Sequence, residues 1–126
     1  MNTESNRSET KPSTPTVVIY SNAARFALGQ IVATPGAIRL LEKTGFSTAA
    51  MINRHMHGDW GDCCKEDAEQ NEFAVTNSER VFSVYRLVDA SRLAATPVHK
   101  RSDLPTIWTI TEWDRSVTTL LLPSEY

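Results

Sequence analysis

The chain has 126 residues, of which 40% are hydrophobic and 22% are charged, a composition typical of one globular domain. Its formal net charge of −2 excludes the overall basic field that drives non-specific binding to nucleic acid, although it is compatible with a local basic patch. No apolar run approaches the roughly 20 residues of a membrane-spanning helix. We therefore expect no membrane partner.

The two cysteines are neighbours, Cys63 and Cys64. Adjacent Cα atoms lie about 3.8 Å apart, which is closer than the roughly 4.4–6.8 Å of a relaxed disulfide. Reduced thiols predict a cytoplasmic protein. Residues 1–15 are rich in Ser, Thr, Asn and Glu and lack the apolar centre of a signal peptide. We interpret them as a disordered tail that precedes a single domain at residues 16–126.

The first half of that domain is predicted to form short strands followed by helices. Residues 17–20 are interpreted as a strand or a docking segment, and residues 26–33 as a strand. Thr34 and the proline after it predict a helix start, and Gly45 predicts its end. Ser47 then predicts the cap of a second helix.

The second half changes from helical to alternating periodicity. Asp62 is expected to cap a third helix, at residues 63–75. β-branched and aromatic residues then predict three strands, joined by a long mobile loop at residues 89–105 and by a tight hairpin; the strands are at 80–88, 106–113 and 117–122. The fold class predicted is α+β, with about three helices on one face of a small antiparallel sheet and a C-terminal β-meander.

One cluster of possible catalytic or metal-binding side chains is His55, His57 and Asp59. Imidazoles and a carboxylate are ligands that zinc accepts. The spacing resembles the metal-binding run of metallo-hydrolases, but that run follows a strand, whereas this one follows a helix. The sequence favours a helix C-terminus, where His55 interacts with the last carbonyl groups, and no resident metal.

Trp60 and Asp62 lie in a loop with two glycines. In one interpretation the loop presents Trp60 to a partner, because tryptophan is a frequent interface anchor. In the other, Trp60 is buried, the glycines adopt positive φ angles and Asp62 caps a helix. The second interpretation is favoured.

Asn71 falls on the apolar side of the third helix. A buried amide needs hydrogen-bond partners, which Tyr85 or a strand backbone would provide. A catalytic amide is the alternative, and the structural role is favoured.

The last hairpin places Asp114 and Arg115 at its tip. Together with Arg86 on a neighbouring strand, Arg115 would form a small cationic spot for a phosphate or carboxylate. A solvated turn is the favoured interpretation. Because motifs for nucleotide binding, nucleophilic catalysis and paired Cys-x-x-Cys sites are absent, the sequence predicts no cofactor.

Three stretches together resemble a family of small uncharacterised proteins encoded on bacterial plasmids and integrative elements. They are GQIVATPGA at 29–37, the RH…GDWGD stretch at 54–62 and WTITEWDRSVTTLLLPSEY at 108–126. The chain departs from that family at its N-terminal tail and at residues 89–105, where the family has a tight hairpin. The resemblance implies a bacterial cytoplasm and a mobile element, and it transfers no catalytic residue.

These observations lead to two hypotheses of different classes. The leading one is a non-enzymatic accessory protein that binds a macromolecular partner, most readily a protein, and inhibits a host defence or restriction component. The alternative is a small hydrolase or transferase acting on a nucleotide or nucleic acid through His55, His57, Asp59 and Asn71. Direct nucleic-acid binding is a third, less favoured option.

Overall fold

The computed structural model describes residues 24–126. The expected tail at 1–15 and the expected segment at 17–20 lie outside these residues. In chain order the elements are β1 (Gln30–Ala33), α1 (Pro35–Thr44), α2 (Thr48–Met56), α3 (Lys65–Asn77), β2 (Val81–Arg86), α4 (Ala90–Ala95), β3 (Thr106–Thr111) and β4 (Val117–Leu121). Two 3-10 helices, Val98–Asp103 and Pro123–Glu125, follow α4 and β4.

The α+β class is confirmed, and the sheet is larger and more mixed than expected. Its order is β1-β4-β3-β2, in which β2, β3 and β4 form the predicted antiparallel meander. β1 adds a fourth strand parallel to β4, with Gln30 opposite Val117 and Ala33 opposite Leu120. The apolar, β-branched run at 26–33 predicted a strand, of which Gln30–Ala33 is formed. The run does not predict the partner of β1, which depends on how the helices return the chain to the sheet.

The main core lies between one face of the sheet, here the inner face, and the helices α1 and α2. Odd-numbered residues of β2 and β3, such as Tyr85 and Ile107, share this face with Leu120 of β4. The buried apolar side chains of this core are Ala37, Leu41, Met51, Ile52, Tyr85, Leu87, Ile107 and Leu120. Helix α3 lies at the β2 side, where its Ala74 packs with Trp60 and Val81.

The first two helices begin at the expected residues, and the first ends at the expected glycine. The Thr34 hydroxyl accepts the N–H of Ala37, and Gly45 ends α1 with a φ of 76°. The Ser47 hydroxyl accepts the N–H of Ala50 at the start of α2. The expected cap of α3 was wrong, because Cys64 occupies the N-cap position and makes no side-chain hydrogen bond there. Asp62 is engaged elsewhere.

The segment at 89–105, predicted as a long mobile loop, contains two short helices. Asp89 caps the short helix α4 by accepting the N–H of Arg92 at 2.8 Å. The 3-10 helix after it is held by Arg101, which donates to the Thr96 carbonyl at 3.0 Å. A six-residue helix is too short to show a helical period in the sequence, and tertiary contacts stabilise it.

No helix in the part of the chain that the structure describes is long and apolar enough to cross a lipid bilayer.

Thr109 on the inner face provides a test of how buried hydroxyl groups affect stability. Its side chain is fully buried, and its hydroxyl has no hydrogen-bond partner within residues 24–126. An unsatisfied buried hydroxyl costs about 1–3 kcal/mol. We expect Thr109→Val to raise the free energy of unfolding in urea by about 1 kcal/mol. The matched control is Thr111→Val, which removes a bonded hydroxyl and should lower stability by about 1–3 kcal/mol. Equal destabilisation by both substitutions would contradict this assignment.

Candidate functional site

His55 is fully buried beneath the sheet, at the last turn of α2. Its Nδ1 lies 2.6 Å from the Ser83 hydroxyl and its Nε2 lies 2.9 Å from the Thr111 hydroxyl. Phe26 and Trp60 contact the ring edge to face, at centroid distances of 5.2 and 6.2 Å. Both ring nitrogens are therefore occupied by strand side chains, in an otherwise aromatic environment.

The hydrogen bonds around His55 form a chain whose direction is fixed at one end. Thr118 donates to the carbonyl oxygen of Leu28 at 2.7 Å, since a carbonyl only accepts. Thr118 must then accept the bond from Thr111, at 2.7 Å. Because the Thr111 proton is used, His55 Nε2 donates to Thr111, and Nδ1 accepts from Ser83. The network places a proton on Nε2, and Nδ1 is the acceptor in the neutral imidazole that the lowered pKa of His55 favours.

Burial, and secondarily the positive charge of Arg115, lowers the pKa of His55 from 6.5 to about 3. His57 does not join it at a common site, since its Nδ1 donates to the Asn53 carbonyl at 2.7 Å. Within residues 24–126 no three His, Cys, Asp or Glu side chains are grouped so that they could hold a metal ion. The geometry gives His55 a structural role in the core, and the expected interaction of its ring with the carbonyl groups at the end of α2 was wrong, because Ser83 and Thr111 bind both ring nitrogens.

Asp59 stabilises the loop after α2. Its carboxylate accepts Nε of Arg54 at 2.6 Å, Nη2 of the same residue at 3.2 Å, and the Gly61 N–H at 3.1 Å. The Arg54 hydrogen bond is the main reason that the pKa of Asp59 lies below its usual range. The Tyr85 hydroxyl donates to the Asp59 carbonyl at 2.6 Å, which fixes the loop to the core.

Trp60 is only 7% exposed, in agreement with the buried interpretation. Its indole N–H donates to Glu72 of α3 at 3.0 Å. Arg25 binds the same carboxylate through two nitrogens, at 2.6 and 3.0 Å, and lies over the Trp60 ring. The tryptophan therefore joins the loop to α3 rather than projecting toward a partner.

Asn71 and the loop at 60–62 together close the outer edge of β2. The Asn71 side chain donates to the Phe82 carbonyl at 2.7 Å and accepts the Phe82 N–H at 2.9 Å, as a neighbouring strand would. Val84 donates to the Trp60 carbonyl at 3.0 Å, and its own carbonyl accepts the Asp62 N–H at 2.7 Å. These bonds satisfy the outward backbone groups of both Phe82 and Val84.

Gly61 allows the loop to approach β2 this closely. It has a φ of 76°, and a Cβ atom there would overlap the Val84 carbonyl oxygen. Only glycine combines a left-handed conformation with this approach. Gly61 is therefore required by the pairing of this loop with β2, and its positive φ angle agrees with the favoured structural interpretation.

Asp62 lies between two arginines, Arg86 at 2.9 Å and Arg101 at 3.0 Å. Burial alone would raise the pKa of this carboxyl, but the hydrogen bonds and charges of the arginines outweigh that effect and lower it. The side chains are all at most 20% exposed. Arg86 is thus paired within the protein rather than grouped with Arg115 in a cationic spot.

The residues at the hairpin tip also form hydrogen bonds within the protein that stabilise the fold. Arg115 donates to three carbonyl groups, those of Ala74 at 2.9 Å, Glu79 at 2.6 Å and Glu112 at 3.1 Å. It therefore stabilises the C-terminal end of α3, where a positive charge is favourable. Asp114 accepts the Ser116 N–H at 3.0 Å, as the turn interpretation requires.

A groove on the opposite, outer face of the sheet was not identified from the sequence. It has a volume of about 330 Å³, is open to solvent, and is lined by Arg80, Phe82, Trp108, Ile110 and Tyr126. The even-numbered positions of β2 and β3 carry these strand residues, so the alternation of aromatics was the available signal. The missing information was that helices α1 and α2 pack against the odd-numbered face.

Comparisons with protein-family models, with curated proteins and with solved structures found no match for this chain.

The His55 network predicts a specific dependence of stability on pH. The unfolded chain takes up a proton near pH 6.5, whereas the folded state excludes it until about pH 3. The free energy of unfolding should therefore fall as the pH decreases from 6.5, by at most about 1.4 kcal/mol per unit from this residue. Urea unfolding from pH 7 to 4, compared with His55→Gln, isolates this contribution as the difference in slope. An imidazolium NMR signal from folded His55 at pH 5 would contradict the assignment.

The edge closure predicts unequal effects for two asparagines of α3. Asn71→Ala leaves the Phe82 N–H and carbonyl without partners and should lower the free energy of unfolding by about 2–3 kcal/mol. The control is Asn77→Ala, which removes one exposed bond to the Phe73 carbonyl and should cost about 0.5 kcal/mol. Urea unfolding and exchange of the Phe82 amide hydrogen measure the two effects. Unchanged exchange at Phe82 in Asn71→Ala would refute the closure.

Proposed function

We propose that this chain is a non-enzymatic accessory protein that binds a protein partner through the aromatic groove on the outer face of its sheet. The observation that carries the proposal is the groove itself, an apolar and solvent-open cavity on a face that helices α1 and α2 leave uncovered. Exposed apolar surface of this kind is typical of interaction sites.

The walls of the groove suit an apolar anchor side chain. Phe82 and Trp108 meet at 5.0 Å with an angle of 87° between their rings, and Trp108 and Tyr126 meet at 5.6 Å with an angle of 67°. Ile110 is 4% exposed at the base. Perpendicular aromatic rings of this kind provide a rigid apolar surface, and tyrosine and tryptophan dominate the energetics of many interfaces.

The charges near the groove favour a protein over a nucleic acid. Arg80 at its rim already contacts Glu112 through Nε at 3.4 Å and the Tyr126 hydroxyl through Nη1 at 2.5 Å. Arg86 and Arg115 already donate hydrogen bonds within the protein, to Asp62 and to the Ala74 carbonyl. Phosphate recognition requires a concentration of available positive charge, whereas an uncharged side chain from a protein partner needs only the aromatic walls.

We further propose that the partner is a host defence or restriction component in a bacterial cytoplasm, and that the chain inhibits it. Support for this context is the resemblance of residues 29–37, 54–62 and 108–126 to proteins of plasmids and integrative elements. The free thiols of Cys63 and Cys64 are compatible with a reducing compartment.

The test is a quantitative pull-down from a bacterial host lysate with Tyr126→Ala and Trp108→Thr as groove variants. Because truncating a central aromatic anchor commonly costs 2 kcal/mol or more, we expect capture to fall by at least about tenfold. Trp113→Ala is the matched control, since Trp113 is 65% exposed but lies in the hairpin outside the groove lining. Capture that is absent, or equal in groove and control variants, would overturn the proposal.

A further inference from the structure

The two edge strands of the sheet, β2 and β1, differ in how their outward backbone groups are paired. Asn71 and residues 60–62 close the β2 edge, as described above. The β1 edge has no strand beside it within residues 24–126. Its sequence, Gln-Ile-Val-Ala, also contains none of the charged residues or prolines that commonly protect a free edge.

The backbone of β1 shows which groups this edge offers. The N–H groups of Gln30 and Thr34 donate to carbonyls of Ser116 and Leu120, on the β4 side. Because backbone groups alternate in direction along a strand, those of Ile31 and Ala33 point away from β4. These two residues present two N–H groups and two carbonyl groups along an edge that no strand within residues 24–126 covers.

The side chains at this edge are apolar and unusually exposed. Ile31 is 48% exposed and Val32 is 37% exposed. Neighbouring strand residues project to opposite faces, so apolar surface lies above and below these outward backbone groups.

We propose that β1 pairs antiparallel with β1 of a second copy of this chain, which extends the sheet across a two-fold axis. Ile31 of each copy lies opposite Ala33 of the other, and these two Ile31–Ala33 pairs together form four backbone hydrogen bonds. Val32 lies opposite Val32 of the other copy, on the two-fold axis. These two residues form a non-hydrogen-bonded pair with Cα atoms about 4.5 Å apart.

A second copy fits this edge because the segment is complementary to itself. In this register every outward N–H meets a carbonyl group, and no charge opposes a like charge. The apolar side chains of Ile31 and Val32 gain contacts on both faces. A four-residue pairing buries little area, so the dimer is weak and reversible.

The geometry is tested by disulfide trapping in the full-length chain carrying Cys63→Ser and Cys64→Ser. Val32→Cys should form a crosslinked dimer under oxidising glutathione, because its Cα separation falls within the range of a disulfide. Gln30→Cys is the matched control, on the same face of the same strand. The residues at position 30 in the two copies would lie about 14 Å apart, because they are offset by four residues at about 3.4 Å each. We expect at least tenfold less crosslinking for the control.

A second measurement follows exchange of the Ile31 and Ala33 amide hydrogens as protein concentration is increased. Protection that rises with concentration, and that Val32→Lys abolishes while circular dichroism shows a folded chain, supports the dimer. Equal crosslinking of the two cysteine variants, or none, overturns it. Protection that is independent of concentration also overturns it, because residues 1–23 or another part of the same chain would then cover the edge.

Discussion

The structure depends on satisfying the backbone of an edge strand that is buried among helices. β2 is the last strand of the sheet, yet Val81, Val84 and Tyr85 along it are buried. Buried N–H and carbonyl groups must find partners, because each unsatisfied group costs about 1–3 kcal/mol. The protein supplies these partners with one amide side chain and a short run of loop backbone, rather than with a fifth strand.

This constraint accounts for several residues that the sequence marked as candidate functional groups. Asn71 must be an amide because it both donates to and accepts from Phe82. Gly61 must be glycine for the loop to reach Val84. Asp59 and Asp62 hold the loop in position through Arg54 and Arg86, so their charges serve the fold.

Residues 29–37, 54–62 and 108–126 meet one another in space. Thr34 donates to the Glu125 carboxylate at 2.6 Å, which also accepts the Leu122 N–H at 2.8 Å. His55 likewise binds Thr111. Residues distant in sequence are therefore linked by the packing that they share. The third stretch has a second location as well, because its residues Trp108, Ile110 and Tyr126 line the groove on the outer face of the sheet.

The sequence by itself determined the α+β class, the first two helices with their caps and the C-terminal meander, because capping and alternation are local properties. It also favoured structural roles for Trp60, Asn71 and His55. Only the tertiary structure decided that β1 lies parallel to β4, that 89–105 contains helices, and that Arg115 caps α3. It also decided which sheet face stays open, and so brought Phe82, Trp108 and Tyr126 together. These features depend on contacts between residues far apart in the chain, which local periodicity does not encode.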